Sequence, residues 1–172
     1  MAKRTYKSDV GAIPKIVDNF LSDDELNYIN GCLNEARWNI QTSKQGSLQF
    51  LYYDVGHIDY FSNQLHKKLE EEIGVDLELE RVYFNGQHSG REGELHSDRC
   101  DITALIYISE YNTNWGGFTQ IVYSPTDQYI IPPLQKRLLL FDGRIQHKGY
   151  SYSYQDTPMR VSLAYKLHLK ND

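Results

Sequence analysis

His96 and Asp98 are the two residues whose types and spacing most directly suggest chemistry. One residue, Ser97, separates them, and side chains two positions apart in a β-strand project from the same face. An imidazole and a carboxylate would then converge on one point, where both can bind a transition metal ion. Because two protein ligands hold such an ion weakly, we expect a third from a distant segment, and His147 is the best-placed candidate.

This group of residues has two interpretations. On its own, a His-x-Asp sequence is as well explained by a hydrogen-bonded pair at the surface, because such short patterns occur by chance. With His147 added, the residues form the set of two histidines and one carboxylate that holds non-heme Fe(II) on one side and leaves the opposite coordination positions open.

Length and composition indicate the setting of this candidate site. The 172 residues, 40% of them hydrophobic and 24% charged, predict one globular domain that spans residues 1–172. A net charge of −5 argues against a nucleic-acid partner, and no apolar run reaches the roughly 20 residues of a membrane span. The absence of a signal peptide and the distant cysteines, Cys32 and Cys100, predict a cytoplasmic location.

Two amphipathic helices are expected in a supporting region of about residues 18–74. Ser22 and Glu25 form a capping box at the start of the first helix, which should extend to about Arg37. The second should run from Phe61 to Ile73 and end at Gly74.

A series of short strands dominates the rest of the chain, with a barrel core expected at about residues 77–168 and a loop at Asn85–Gly93. The content of 14 tyrosines favours strands over a helical bundle. We therefore predict a mainly β fold with flanking helices, a double-stranded β-helix (jelly-roll) barrel braced by N-terminal α-helices. Strands are expected at Ile13–Val17, Leu48–Val55, Leu77–Tyr83, Asp101–Ser109, Phe118–Ser124, Tyr129–Ile131, Arg137–Phe141 and Met159–Leu167.

The last predicted strand places Arg160, Ser162 and Ala164 on one face and apolar residues on the other. Taken alone, this alternation is typical of a strand with its polar face in solvent. If the apolar face packs under the helices instead, Arg160 and Ser162 look into the barrel. A buried arginine would then need an anionic partner, and its guanidinium matches a carboxylate well.

Several of these motifs, in this order, resemble the Fe(II)- and 2-oxoglutarate-dependent dioxygenases, and in detail their prolyl 4-hydroxylase-like branch. The resemblance extends from about Ile16 to Leu167. The motifs that carry it are Phe20–Leu26, His96-x-Asp98, Leu105–Ser109, Trp115-Gly116-Gly117, Leu138–Gly143 ahead of His147, and Arg160-x-Ser162.

The resemblance implies an oxygenase that hydroxylates an unactivated carbon while 2-oxoglutarate is decarboxylated to succinate. It implies Fe(II) as cofactor, 2-oxoglutarate and O2 as co-substrates, and ascorbate as a candidate reductant. The roles that it assigns are iron binding by His96, Asp98 and His147, binding of the distal carboxylate of 2-oxoglutarate by Arg160, Tyr107 and Ser162, and lining of the co-substrate pocket by Thr103.

The substrate remains the most open part of this prediction. The resemblance favours a prolyl residue of a peptide or protein, but many collagen-type prolyl hydroxylases have lysine at the Arg160 position, so a small molecule stays open. Tyr150, Tyr152 and Tyr154 alternate and could form one wall of a peptide groove or simply a strand. The alternative function is a cupin-like isomerase or a ligand-binding module without redox activity, in which Arg160 has no set role.

Overall fold

The structure of the protein, a computed structural model, describes residues 14–42 and 49–170. Within these ranges the chain has two α-helices, one π-helical turn at Tyr60–Gln64 and one 3-10 turn at Thr113–Trp115. The helices are α1 (Asp23–Asn34) and α2 (Leu65–Ile73), and the strands are β1 (Lys15–Val17), β2 (Asn39–Thr42), β3 (Gln49–Asp54), β4 (Leu77–Gln87), β5 (Ile102–Tyr107), β6 (Thr119–Ser124), β7 (Asp127–Ile131), β8 (Leu138–Asp142), β9 (Gln146–Gly149) and β10 (Arg160–Leu169).

The strands form two antiparallel sheets. The larger sheet has the order β1-β8-β5-β10-β4-β3-β2, and the smaller one has the order β7-β6-β9. The prediction of a mainly β jelly-roll fold with flanking helices is confirmed. One detail is wrong, because in the described part of the chain the strands form two open sheets and do not close into a barrel.

The capping box at α1 is present as predicted. The Glu25 backbone N–H donates to Ser22 Oγ at 3.2 Å, and the Ser22 N–H donates to Glu25 Oε2 at 2.7 Å. The helix ends at Asn34, before the predicted Arg37, because β2 begins at Asn39 and the chain must leave the helix first. The second helix ends at Ile73, and Gly74 makes the expected C-cap with a left-handed φ of 82°.

Other boundaries differ from the predictions at the strands around the site. Residues 85–87, expected in a loop, continue β4 because they pair with β3 and β10. Strand β9 was not expected, since its short sequence Gln-His-Lys-Gly lacks apolar alternation. Ile13 and Leu48, the first residues of two predicted strands, lie outside the described ranges, as does the N-terminal segment used to exclude a signal peptide.

Strands β5 and β10 have different cores on their two faces. On one face, Ile106, Leu163 and Tyr165 pack in the same buried cluster as Ile29 of α1 and Leu69 of α2. The other face contributes to a second cluster between the two sheets, made of Leu105, Tyr107, Ile121, Ile131, Leu139, Phe141 and Ala164. The polar face of β10 therefore lies inside the protein, as the second interpretation of its alternation requires. No helix in the described ranges is long and apolar enough to cross a membrane.

Candidate active site

Backbone hydrogen bonds bring His96, Asp98 and His147 together. His96 and His147 form an isolated antiparallel bridge, in which the His96 N–H donates to the His147 carbonyl at 3.0 Å and the His147 N–H donates back at 2.7 Å. The Asp98 N–H donates to the Gly143 carbonyl at 2.7 Å. Residues 96–98 do not form a strand, because His96 makes only an isolated bridge, yet the side chains of His96 and Asp98 still converge.

The three candidate ligand atoms lie within 4.8 Å of one another, as ligands of one metal ion would. His147 Nε2 is 3.3 Å from Asp98 Oδ2, and His96 Nε2 is 3.7 Å from Asp98 Oδ1. The Nδ1 atom of His96 faces the Glu94 carbonyl at 2.8 Å, and that of His147 faces the Ile145 carbonyl at 2.9 Å. These contacts assign the proton to Nδ1 in both rings and leave Nε2 free to bind a metal.

Electrostatics favour the protonation states that bind metal. Burial lowers the pKa of His96, and the nearby His147 lowers it further, which favours the neutral ring. Burial alone would raise the pKa of Asp98, but the neighbouring His147 and the charge of Lys166 outweigh it, and the pKa falls well below its usual range. Metal ligands must be deprotonated, so this donor set fits a divalent ion.

Lys166 and Thr103 both hold the Oδ2 oxygen of Asp98. The Thr103 hydroxyl donates to it at 2.6 Å, and the Lys166 ammonium donates to the same oxygen. Thr103, predicted to line the co-substrate pocket, thus lies beside the candidate metal ligand. Lys166 was missed by sequence reasoning, although it continues the alternation of Arg160 and Ser162 along β10.

Arg160 is a buried cation whose neighbours are neutral. Only 2% of its surface is exposed, and its guanidinium donates to the Gly117 carbonyl at 2.7 Å, to Gln87 Oε1 at 2.7 Å and to Thr119 Oγ1 at 3.1 Å. No carboxylate in residues 14–42 and 49–170 pairs with it. An unpaired buried charge is costly, so this arrangement fits a bound anion.

Tyr107 and Ser162, predicted to assist Arg160, lie close to it in different ways. The Tyr107 hydroxyl donates to Thr119 Oγ1 at 2.7 Å, and its ring centre is 5.4 Å from the guanidinium carbon of Arg160. Tyr107 and Arg160 therefore donate to the same acceptor, the Thr119 hydroxyl, and Tyr107 supports Arg160 through it. Ser162 lines the cavity itself.

The Trp115-Gly116-Gly117 motif holds the Arg160 side chain by its backbone. Gly117 has a φ of 75°, and a Cβ atom there would lie 2.5 Å from the Tyr152 ring. Only glycine allows this approach without strain, and it places the Gly117 carbonyl against Arg160 Nε. Glycine is therefore required at position 117 so that its carbonyl can accept from Arg160, a role that the sequence alone did not predict.

One cavity of about 80 Å³, open to solvent, connects His96 and His147 with Arg160. Sequence reasoning missed several of its lining residues, because they come from strands without motifs. The wall is formed by Phe50, Tyr83, Asn85, Gln87, Gly93, His96, Leu105, Thr119, His147, Gly149, Arg160, Ser162 and Lys166.

The suggested wall of Tyr150, Tyr152 and Tyr154 is wrong. Tyr152 is fully buried, and its hydroxyl donates to the Glu110 carbonyl at 2.6 Å. The Tyr150 hydroxyl donates to Gln120 Oε1 at 2.8 Å. Of the three rings, only Tyr154 is well exposed, because the segment after β9 is irregular and does not alternate as a strand would.

No protein-family model and no curated protein sequence matches the chain, but solved structures do. An oxidoreductase of the 2OG-Fe(II) oxygenase family from Burkholderia pseudomallei has a TM-score of 0.78 at 12% identity, covering 96% of this chain and 88% of its own. HygX from Streptomyces hygroscopicus, solved with nickel, 2-oxoglutarate and hygromycin B, has a TM-score of 0.72 at 11% identity, covering 95% and 85%.

A prolyl hydroxylase from Trichoplax adhaerens, in complex with a peptide fragment of the hypoxia inducible factor oxygen degradation domain, is also similar. Its TM-score is 0.69 at 17% identity, with 94% of this chain and 85% of that one covered. At sequence identities this low, the similarity supports a conclusion about the fold alone. The chain has the fold of the 2-oxoglutarate- and Fe(II)-dependent oxygenases, a fold that includes the prolyl hydroxylases.

Proposed function

We propose that this protein is a 2-oxoglutarate- and Fe(II)-dependent dioxygenase, formed by a single domain, in which His96, Asp98 and His147 bind the iron. Arg160 binds the distal carboxylate of 2-oxoglutarate. The observation that carries the proposal is the buried guanidinium of Arg160, which has only neutral partners in the described chain and lines the same cavity as the histidines. A cupin-like isomerase has no need for such an anion anchor.

Each side chain has a definable task in this reaction. Bound Fe(II) and 2-oxoglutarate would supply the oxidation, in which O2 gives one oxygen atom to succinate and one to a C–H bond of the substrate, with release of CO2. His96, Asp98 and His147 would hold the ion through two imidazole nitrogens and one carboxylate oxygen. Arg160 orients the co-substrate by pairing with its far end, and Phe50 and Leu105 supply apolar wall that limits water.

A prolyl residue of a peptide or protein is our first choice of substrate. The support is the prolyl-hydroxylase-like order of the motifs, together with the similar Trichoplax enzyme, which binds a peptide. A small molecule is the second candidate, because HygX, which has a similar fold, binds hygromycin B. We also keep the prediction of a cytoplasmic location, since Cys32 and Cys100 are both unpaired.

The test is succinate release with Fe(II), 2-oxoglutarate and ascorbate as reductant, measured with proline-containing peptides, free proline and other free amino acids. A mass increase of one oxygen atom should accompany turnover. We expect the peptides to be hydroxylated and His147→Ala to be inactive. Turnover of a free amino acid with none of any peptide would overturn the peptide assignment, whereas no 2-oxoglutarate consumption under any condition would overturn the oxygenase.

Metal binding gives a test that does not need the substrate. Anaerobic protein should bind one Fe(II), and His96→Ala, Asp98→Ala and His147→Ala should each weaken binding by about 100-fold or more, beyond the loss typical for residues outside the ligand set. His168→Ala is the matched control, because His168 lies at the surface beside Glu80 and outside the triad. Unchanged affinity in all three ligand variants would refute the metal site.

A further inference from the structure

Lys166 is a second cation of the cavity that the proposed chemistry does not use. It lies on the same face of β10 as Arg160 and lines the same cavity, and only 12% of its side chain is exposed. Its one ionic partner in the described part of the chain is Asp98, whose Oδ2 it shares with Thr103.

The charges at this site do not balance if the proposed function is correct, and the inference rests on that function. The positive charges of Fe(II) and Arg160 are matched by the negative charges of Asp98 and the 2-oxoglutarate dianion. Lys166 therefore adds one positive charge that the loaded set leaves uncompensated. Once Asp98 also binds a divalent ion, its charge is shared, and Lys166 attracts a further anion in a poorly solvated space.

The surroundings supply no other anion for Lys166. The charged side chains that line the cavity are the cations Arg160 and Lys166, and no carboxylate is found among its lining residues in the described ranges. Two carboxylates near the site are paired elsewhere: Glu92 with Lys148 at 2.7 Å, and Asp142 with Arg144 at 2.7 Å. The chain as a whole carries a net charge of −5, so this positive cavity is a local feature that attracts anionic ligands.

We propose that Lys166 binds a carboxylate of the primary substrate. The substrate class is then a compound with an acidic group close to the carbon that is oxidised. A monoanion matches the single ammonium, and the neutral wall residues Tyr83 and Asn85 lie in the same cavity. The carboxylate can come from an aspartate or glutamate beside the target residue of a peptide, or from the α-carboxylate of a free amino acid.

Acetate is the minimal probe for this subsite, and acetamide is its neutral match. The protein is loaded with Ni(II), which does not start the reaction, saturated with 2-oxoglutarate, and titrated with each probe by calorimetry. We expect acetate to bind at least tenfold more tightly than acetamide, and Lys166→Met to lose about 10- to 100-fold of the acetate affinity, the range for a hydrogen bond to a charged group. Lys166→Arg should retain acetate binding.

Lys148→Met is the matched control, because Lys148 is a nearby cation already paired with Glu92, and it should change the acetate affinity less than about twofold. Equal acetate binding by wild type and Lys166→Met, or none by wild type, would overturn the proposal. So would a loss of 2-oxoglutarate affinity in Lys166→Met as large as the loss of acetate affinity. If wild type binds neither Ni(II) nor 2-oxoglutarate, the proposed function itself fails, and this inference falls with it.

Matched substrates then identify the source of the carboxylate, while the acetate titration decides the proposal. End-blocked peptides with Asp-Pro and Asn-Pro are compared as one pair, and proline with prolinamide as the other. The pair in which the acidic member is turned over about tenfold faster shows whether a side chain or an α-carboxylate is bound. In that pair, Lys166→Met should remove the preference, and a preference that survives the substitution would contradict the role of Lys166.

Discussion

The two faces of strand β10 are both buried, yet they contain different groups. Toward the helices, Val161, Leu163 and Tyr165 bury apolar surface, which stabilises the fold by roughly 25 cal/mol per Å². Toward the cavity, Arg160 and Lys166 bury charges. Arg160 has no carboxylate partner in the described chain, which is unfavourable without a bound anion. The difference indicates that one face supports stability and the other supports ligand binding, so substitutions on the two faces should have separate effects.

Arg160→Ala should produce the largest change in ligand binding. Loss of one charge-assisted pair in a secluded site costs about 2–5 kcal/mol, or about 30- to 4,000-fold in 2-oxoglutarate affinity. Metal affinity, measured in the same anaerobic samples, should change far less. Normal 2-oxoglutarate binding by the variant would show that the cavity face of β10 does not anchor the co-substrate.

Leu163→Ala should produce the opposite result on the other face. Leu163 is fully buried in the helix-side cluster, and its truncation should lower the free energy of unfolding by about 2–5 kcal/mol, as measured by urea denaturation. The folded variant should bind 2-oxoglutarate within about twofold of wild type. A large loss of affinity in the folded protein would break the separation between the two faces.

Gly117→Ala should have an intermediate effect that reaches the site through the backbone. The new Cβ would meet the Tyr152 ring and move the carbonyl that accepts from Arg160, so we expect destabilisation by about 1–3 kcal/mol and weaker 2-oxoglutarate binding. Gly90→Ala is the control, because Gly90 has a similar φ of 73° and no atom within 4 Å of its Cβ position. Equal 2-oxoglutarate affinities in the two variants would contradict the role assigned to the Gly117 carbonyl.

Tyr107→Phe should have the smallest effect. The substitution removes one neutral hydrogen bond, to Thr119 Oγ1, worth about 0.5–1.5 kcal/mol, so the 2-oxoglutarate affinity should fall about 2- to 13-fold in a calorimetric titration. A loss as large as that of Arg160→Ala would instead indicate that the Tyr107 hydroxyl contacts the co-substrate directly.

Local signals in the sequence predicted the helices and most of the strands. The capping box of Ser22 and Glu25 and the C-cap at Gly74 each depend on residues close in the chain, and the structure shows both. Strand β9 and the end of α1 were not predicted, because they depend on pairing with distant strands. The open sheets likewise follow from tertiary pairing, which the alternation of residues does not encode.

The residues of the candidate site likewise fall into those that the sequence could predict and those that it could not. Motif residues such as His96, Asp98 and Arg160 could be selected by type and spacing. Their partners could not, because Gln87 and Lys166 reach the site from strands in which a polar residue is ordinarily exposed. The alternation of β10 gave one usable signal, since it places Lys166 on the face of Arg160.

The most direct test of the account is an anaerobic titration of the Fe(II)-loaded protein with 2-oxoglutarate, followed by visible absorption. A 2-oxo acid chelated to Fe(II) gives a charge-transfer band, so the band reports both partners in one site. In wild type we expect the band when iron and protein are equimolar. Arg160→Ala should show it only at a much higher concentration of 2-oxoglutarate, and Asp98→Ala should not show it. No band in wild type, or the same titration curve in all three proteins, would contradict a shared site formed by the metal triad and Arg160.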